Sequence, residues 1–207
     1  NGALVNYLHN YDAMRDANVL GTREMVRLAF SHRPKVFNHI STTFVFGWSI
    51  KGTLTENDHN ADMELLDFGY SQSKWVAEQV ELYESSGGTL GTTAGGLPVV
   101  IVTNQGSKTG AIRKTPLMRA IDGENYILVA SRGGAPEHPL WVYNLRTNPN
   151  VEIRDGVNVH KMRVREMTDP EERQRLWDIA VEAFPPYKDY QEKTKRLIPV
   201  FLAEMTT

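Results

Sequence analysis

The sequence predicts a mixed fold, in which an incomplete α/β segment precedes a small β-barrel with flanking helices. In the first part of the chain, residues with a helical period alternate with a strand-like apolar run, as in α/β folds. The later part has several short apolar strands separated by glycine-containing turns, which favours a barrel over a doubly wound sheet. We place the boundary of the two predicted domains inside a shared helix, giving residues 1–74 and 75–207.

Composition narrows the class of protein. Of the 207 residues, 41% are hydrophobic and 23% are charged, as in an ordinary globular protein. The chain has no cysteine and its six histidines are scattered, so we expect neither a disulfide nor a metal. The net charge of −2 argues against nucleic-acid binding. No apolar run approaches the roughly 20 residues of a membrane span and no signal peptide is evident, so we expect a cytoplasmic protein without a transmembrane segment.

The first segment begins with a predicted helix over residues 12–30, which cannot continue through Pro34. The apolar face of this helix comprises Met14, Ala17, Met25, Leu28 and Ala29. Residues 35–40 then predict a strand that runs into Thr42, at the strand end where open α/β sheets bind ligands.

Tyr70 and Lys74 open the next helix, and their four-residue spacing places the phenol and the ammonium group on one face. A nearby cation lowers the pKa of a tyrosine, which prepares the phenol to exchange a proton with a carbonyl oxygen. Many solvated helix surfaces carry the same pair, so the spacing alone leaves a purely structural role open.

The motifs around this pair follow the order of a known family. They are residues 1–6, 18–22, 39–42 and 69–75. In this order they resemble the extended short-chain dehydrogenases, in particular the thioester reductase domains that end carboxylic acid reductases and some nonribosomal peptide synthetases. The resemblance implies a partial Rossmann-like, NAD(P)-binding fragment. Its catalytic group would be Thr42, Tyr70 and Lys74, and NADPH would supply hydride to a carrier-bound thioester.

The chain departs from this family at the cofactor site. The family's glycine-rich phosphate turn would precede Asn1, and no G-x-x-G-x-x-G pattern occurs in the sequence. Asn1 in place of an initiating methionine indicates a fragment or a processed product. The substrate-binding part expected after Lys74 is missing as well. We therefore expect Thr42, Tyr70 and Lys74 to be vestigial, and residues 1–70 to be marginally folded or ordered only by docking on the rest.

The second segment has a complete succession of predicted elements. The predicted strands cover residues 97–103, 112–120, 126–130, 151–154, 158–164 and 198–202. The predicted helices cover residues 74–85, 139–146, 168–183 and 187–194. Gly87 and Gly88 end the first of these helices, and a capping box from Thr168 to Glu171 begins the third.

A run of basic residues provides the chemical signal of this segment. No acid occurs between Gln105 and Ile121, whereas four cations do: Lys108, Arg113, Lys114 and Arg119. An anionic ligand fits such a turn and strand, and backbone amides of glycine-rich turns could add donors. The cations could equally well solvate a strand face, and Trp141 could equally well be a core residue or a cofactor wall.

The order and identity of further motifs point to one family. The motifs are residues 87–89, 97–103, 106–110, 113–118, 130–135, 139–145, 185–191 and 198–200. Together they resemble the deazaflavin-dependent nitroreductases over residues 75–207. The resemblance implies a split β-barrel related to FMN-binding barrels. It also implies the reduced deazaflavin coenzyme F420, which carries a phosphate and an oligoglutamate tail.

The same resemblance implies the residues that contact the cofactor. The anionic tail and phosphate would face Ser107, Lys108, Thr109, Arg113 and Lys114. The cofactor channel would be lined by Thr115, Pro116, Leu117 and Met118. The phosphate and ring side would be wrapped by Ala130, Ser131, Arg132, Gly133 and Gly134. The ring would be supported by Trp141 and Asn144, with Tyr187 beside it and Tyr190 at the substrate mouth as the catalytic residues.

The sequence therefore predicts an enzyme that transfers hydride from reduced F420 to a small organic acceptor, a quinone, an enone or a nitro compound. Family members that reduce nitroimidazoles are expected to have a tyrosine near Phe184, so a quinone or an enone is favoured. Two alternatives stay open. One is an NADPH-dependent thioester or aldehyde reductase. The other is a module that binds the deazaflavin without turnover and associates peripherally with a membrane. The sequence names neither the physiological acceptor nor the oligomeric state.

Overall fold

The computed structural model of the chain describes residues 11–31, 69–94 and 96–206. The chain divides into two compact units, residues 1–96 and 97–207. The strand expected over residues 35–40 and Thr42 lie outside the described residues, as does most of the segment whose folding was expected to be marginal.

The first unit contains the helix expected near the start of the chain, but with a different buried face. The helix consists of α1 (Tyr11–Arg15), a π-helical turn (Asp16–Leu20) and α2 (Gly21–Phe30). Its buried residues include Met14, Asn18, Val19 and Leu20.

The predicted apolar face of this helix is wrong in its second half, because Met25 and Leu28 are 53% and 54% exposed. A π-helical turn holds one residue more than an α-helical turn, so the residues after Leu20 are rotated by about 100° from their expected positions. Nothing in the hydrophobic pattern marks this insertion.

Helix α3 (Gly69–Ser85) packs against α1 and the π-helical turn within the first unit. Its buried residues include Val76, Ala77, Val80 and Tyr83. The helix ends as predicted at two glycines with positive φ, where the Gly88 N–H donates to the Tyr83 carbonyl over 2.9 Å. Helix α3 is continuous across positions 74 and 75. The domain boundary that the sequence predicts between these two residues stays a prediction. The unit closes with the short strand β1 (Thr93–Ala94).

The second unit is an antiparallel sheet that curls toward a barrel. Its strands are β2 (Leu97–Gln105), β3 (Ile112–Met118), β4 (Ile121–Asp122), β5 (Asn125–Val129), β6 (Asn150–Asp155), β7 (Asn158–Glu166) and β8 (Val200–Met205). Their order across the sheet is β3-β2-β6-β7-β8-β5-β4. Although β3 and β5 lie near opposite ends of this order, they contact each other, so the sheet is bent round on itself. The curled sheet with flanking helices confirms the split-barrel class.

The helices of this unit are α4 (Leu140–Thr147), α5 (Pro170–Ala183) and α6 (Pro186–Glu192), with a 3-10 turn at Arg132–Gly134. Helix α5 begins one residue later than the expected capping box. Its N-cap is Asp169 rather than Thr168, since the Asp169 carboxylate accepts from the Glu172 N–H over 2.8 Å and Pro170 occupies the first helical position.

Strand β5 separates two apolar clusters because its successive side chains point to opposite faces. Tyr126 and Leu128 belong to the cluster that includes α4 residues Trp141 and Leu145. Ile127 and Val129 belong to the cluster that α5 and α6 cover, which includes Tyr187. The predicted cofactor-site residues Trp141 on α4 and Tyr187 on α6 therefore belong to different apolar clusters.

Replacing Ile153 by alanine is expected to destabilise the chain by about 2–5 kcal/mol, because Ile153 is fully buried on β6 and its removal leaves a cavity. Val159→Ala on the paired strand β7 is the control. Val159 is 42% exposed, and its truncation is expected to cost under about 1 kcal/mol. Urea unfolding of both variants would measure the difference, and equal losses would contradict the packing described.

Candidate functional site

Residues 106–111 join β2 to β3, and we call this segment the basic turn. Hydrogen bonds within its own backbone close the turn. The Gly106 N–H donates to the Ala111 carbonyl and the Gly110 N–H to the Gly106 carbonyl, both over 2.8 Å. Gly110 has φ +67°, a conformation that suits glycine. Ser107, Lys108 and Thr109 lie on the exposed outer part of this turn. A cation at the tip of a closed turn is well placed to meet an anion from solvent.

The β2–β3 register assigns the predicted tail-binding cations to different faces of the sheet. Arg113 lies opposite Asn104, and Lys114 lies opposite Thr103. Side chains alternate along a strand, so Arg113 and Lys114 point to opposite faces. Arg113 turns back to the basic turn, where its Nη2 lies 3.5 Å from the Thr109 hydroxyl.

The fourth cation of the basic run is neutralised within the fold. Arg119 Nε donates to the Asp155 carboxylate over 2.6 Å, and the Tyr126 hydroxyl donates to the same oxygen over 2.9 Å. The acid-free run in the sequence therefore does not leave Arg119 without an acid, because Asp155 comes from the distant end of β6. The cations that remain as candidates for an anionic ligand are Lys108, Arg113 and Lys114.

A buried chain of amides holds the basic turn on α4. The Ser107 N–H donates to Asn144 Oδ1 over 2.9 Å, and Asn144 Nδ2 donates to Asn104 Oδ1 over 2.9 Å. Asn104 is only 3% exposed. Two further polar atoms on β2 and β3, Asn104 Nδ2 and Thr115 Oγ1, are buried and have no hydrogen-bond partner among the residues that the structure describes. They are unused donors in a place where the sequence predicts a cofactor.

The loop after β5 has the left-handed backbone of an anion-binding turn. Arg132, Gly133 and Gly134 have φ of +49°, +63° and +82°. Ser131 before them is right-handed, with φ −68°, and a right-handed residue followed by a left-handed one can turn successive N–H groups toward one point, as in phosphate-binding nests. The Gly134 N–H is not part of such a nest, because it donates to the Ser131 carbonyl over 3.0 Å. A Cβ at Gly134 would lie 2.7 Å from the Tyr190 carbonyl oxygen, so the loop packs directly on the backbone of α6. Glycine at position 134 is thus required by contact as well as by φ.

Arg196 holds this loop and was missed by the sequence reasoning. Its guanidinium donates to the carbonyls of Ala130, Ser131 and Ala135 over 3.1, 2.7 and 2.8 Å. Its Nη1 lies 3.2 Å from His138 Nδ1. Since a guanidinium can only donate, His138 Nδ1 accepts and carries no proton. Burial first, and then the neighbouring arginine charges, hold the pKa of His138 below its usual value, which agrees with that arrangement.

An aromatic cluster lies on α6 and the end of α5. The Tyr187 ring centroid is 5.0 Å from that of Phe184 and 6.4 Å from that of Tyr190, both in edge-to-face geometry. Trp177 lies 6.3 Å away on α5. Tyr187 is 3% exposed, and burial raises the pKa of its phenol well above the usual value. The phenol therefore stays protonated at neutral pH and can act as a hydrogen-bond donor.

The dehydrogenase-like residues are only partly described. Thr42 and the side chain of Tyr70 lie outside the described residues. Lys74 lies on α3, is 4% exposed, and has its pKa lowered by burial, against the opposing charge of Glu78.

Metal ligands and membrane spans are both missing from the described ranges 11–31, 69–94 and 96–206. Within them, no cluster of three or more histidine, aspartate or glutamate side chains could hold a metal ion. No helix there combines the length and apolar character needed to cross a bilayer.

Comparison with known proteins matches both parts of the chain. Residues 75–205 match the model of the F420H(2)-dependent quinone reductase family, and residues 1–130 match that of the male sterility protein family, an NAD-binding family. The F420H(2)-dependent quinone reductase of Mycobacterium tuberculosis is 37% identical over 141 residues, which are 62% of this chain and 94% of that protein. A linear gramicidin synthase from Brevibacillus parabrevis is 43% identical over 84 residues, which are 39% of this chain and 2% of that protein.

Solved structures add two relatives. An F420-H2 dependent reductase, FDR-A, is 48% identical, covers 52% of this chain and 94% of its own, and has a TM-score of 0.49. A domain-swapped dimer is 45% identical, covers 64% of this chain and 98% of its own, and has a TM-score of 0.52. The curled antiparallel sheet and the family match define an oxidoreductase of the split-barrel class. The chain belongs to the F420H(2)-dependent quinone reductase family, and a segment of the male sterility protein family lies at its N-terminal side. Both resemblances drawn from the sequence are confirmed.

Gly134→Ala is expected to destabilise the chain by about 3 kcal/mol, through positive φ and the clash of the new Cβ with the Tyr190 carbonyl. The matched control is Gly133→Ala, which also has positive φ but meets nothing within 4 Å, and should cost about 1 kcal/mol. Denaturant unfolding would separate the two. Equal costs would show that the loop does not pack on α6.

Proposed function

We propose that this chain transfers hydride from reduced F420 to a small uncharged organic acceptor, with a quinone or an enone preferred over a nitro compound. The observation that supports the cofactor most directly is the basic turn coupled to buried, unused hydrogen-bond donors on the same strand pair. A coenzyme with an anionic tail and a polar ring fits both features. When bound, the reduced deazaflavin supplies the hydride.

The anionic end of the coenzyme would lie over the basic turn. Lys108 and Arg113 provide charge there, with Lys114 on the other face of the strand, and the hydroxyls of Ser107 and Thr109 provide further donors. A tail with several negative charges is held by the sum of such contacts, each charge-assisted. The loop at Ser131 to Gly133 would add backbone N–H groups around the phosphate, whereas the Gly134 N–H donates to the Ser131 carbonyl within the loop.

The reacting end would lie farther along β3, past Thr115 to Met118. Leu117 faces the α4 cluster and Met118 faces the α5–α6 cluster, so this strand is in contact with both cores. Trp141 and Asn144 on α4 would support the ring from one side. On the other side, Phe184, Tyr187 and Tyr190 would exclude water, and the protonated Tyr187 hydroxyl would donate to the acceptor.

A second candidate concerns the first part of the chain. Its match to the male sterility protein family covers Thr42, Tyr70 and Lys74, so an NADPH-dependent thioester or aldehyde reductase remains the alternative. Under the deazaflavin-dependent function proposed first, the domains are instead residues 1–74, without activity of their own, and residues 75–207, the deazaflavin-dependent barrel. A barrel that binds the deazaflavin without turnover is the remaining possibility.

One experiment separates these functions. The full chain is mixed with reduced F420 and menadione, a quinone, and separately with NADPH and a small aldehyde, and oxidation of each donor is followed by absorbance. Oxidation of reduced F420 alone is the expected result. Oxidation of NADPH would favour the alternative, and binding of F420 without oxidation would contradict the proposed catalysis.

Lys108→Ala and Arg113→Ala are each expected to raise the dissociation constant of F420 by roughly three- to tenfold at low salt, because each removes one charge-assisted contact to the tail. The effect should shrink as ionic strength rises. Lys161→Ala, an exposed cation on β7, is the control and should bind as the unchanged chain does. Unchanged affinity of both turn variants at low salt would contradict the tail-binding role.

A further inference from the structure

Asn104 Nδ2 and Thr115 Oγ1 lie buried without a hydrogen-bond partner among the described residues, in a chain segment where other buried polar groups are paired. A buried donor that bonds neither protein nor water costs free energy, so such atoms are uncommon and call for a specific explanation. Asn104 lies on β2 and Thr115 on β3.

The orientation of the Asn104 amide is fixed by its neighbours. A backbone N–H can only donate, so the Asn144 atom that accepts from Ser107 must be oxygen. Asn144 therefore presents its nitrogen to Asn104, and the Asn104 atom that accepts must also be oxygen. The hydrogen-bond network thus identifies the remaining atom of Asn104 as a nitrogen with donor hydrogens. The unpaired donor is a consequence of the whole chain of hydrogen bonds.

The strand register places the two unpaired atoms near each other. Asn104 lies opposite Arg113, and Val102 lies opposite Thr115, so Asn104 and Thr115 are diagonal neighbours on one face of the β2–β3 pair. Diagonal neighbours in an antiparallel pair have Cα atoms about 7–8 Å apart. One small acceptor group between the two side chains can bond to both.

The chemistry of this place favours an uncharged acceptor. The neighbouring cation, Arg113, is directed to Thr109 in the turn. Toward the other end of the strands the same face is apolar, with Val100 and Leu117 in the α4 cluster. The face thus grades from cationic at the turn, through two neutral donors, to apolar. An anion would be held at the turn, and the carbonyl of a flat ring fits the two neutral donors.

We propose that Asn104 Nδ2 and Thr115 Oγ1 form a subsite for a ring carbonyl of the deazaflavin, with Asn104 as a binding residue. The proposal rests on the proposed function, because it names what that cofactor site recognises. It also gives the bound coenzyme a direction, with the tail at Arg113 and the ring two residues farther along β3.

The test uses Thr115→Val in the full chain, since valine keeps the shape and removes the hydroxyl. The matched control is Thr103→Val, which makes the same change on the same strand pair but on the opposite, half-exposed face. Binding is measured by fluorescence titration with F420 and with a deazaflavin ring compound that lacks the phosphate and the glutamates. Thermal unfolding of each variant is measured without ligand.

Thr115→Val is expected to weaken binding of both compounds by about tenfold, the effect of one lost hydrogen bond to a buried partner. The same variant should unfold at a higher temperature than the unchanged chain, because it removes a buried, unpaired hydroxyl. Thr103→Val should show neither effect. A residue with a purely structural role would lose stability and affinity together, so the opposite signs identify a ligand-binding role.

Asn104→Asp is the second variant. It keeps an oxygen to accept from Asn144 and replaces the donor by another acceptor, so it should bind the ring compound at least tenfold more weakly. If the unchanged chain binds F420 but Thr115→Val and Asn104→Asp bind the ring compound equally well, the subsite is disproved, the two atoms hold only water, and the proposed function stands. If the unchanged chain fails to bind F420, both proposals are wrong.

Discussion

The side-chain amide of Asn144 is the contact on which the surroundings of the basic turn depend. It accepts from the backbone of the turn and donates to Asn104 on β2, while its own helix, α4, is anchored in the apolar core by Val142 and Leu145. Because an amide has one accepting and one donating end, the two bonds determine its orientation and that of Asn104. The turn therefore cannot move away from α4 without breaking the partly buried bond from the Ser107 N–H to Asn144, which the buried Asn144–Asn104 bond holds in orientation.

Arg196 holds the loop after β5 in place by hydrogen bonds to its backbone, as Asn144 holds the basic turn. Both residues come from parts of the chain remote from the loop they hold, and both bond to backbone atoms rather than to other loop side chains. Backbone partners leave the loop side chains available for a ligand. Because remote side chains hold the loop backbone, the loops can have strained or glycine-dependent conformations and still be fixed in position.

The hairpins and most helices could be predicted because their signals are local. The turn at Asp155 and Gly156 determines the β6–β7 register by itself. The N-cap of α5 was predicted at Thr168 and lies at Asp169, since both residue types cap helices and only the backbone conformation distinguishes them. The π-helical turn, which packs against α3, also has no local signal in the sequence.

The candidate site was predicted in the same uneven way. Motif identity located the turn, the loop and the aromatic helix, and the alternation of Arg113 and Lys114 follows from strand geometry. Sequence could not show that Arg119 is paired with Asp155, 36 residues away, nor that Arg196 meets carbonyls more than 60 residues earlier. Asn104 was overlooked because an asparagine at a strand end has no distinctive pattern, and only its unpaired nitrogen identifies it.

Helix α3 sets a practical limit on how this chain can be divided. The helix is continuous through the position where one family's pattern gives way to the other's, and its buried face lies against α1 and the π-helical turn. A shortened protein starting at Trp75 would begin in the middle of that helix and expose Val76, Ala77 and Val80 to water. Such a product would have an exposed apolar stripe at its new terminus and would tend to aggregate. Replacing the residues of this stripe by polar ones would remove that tendency.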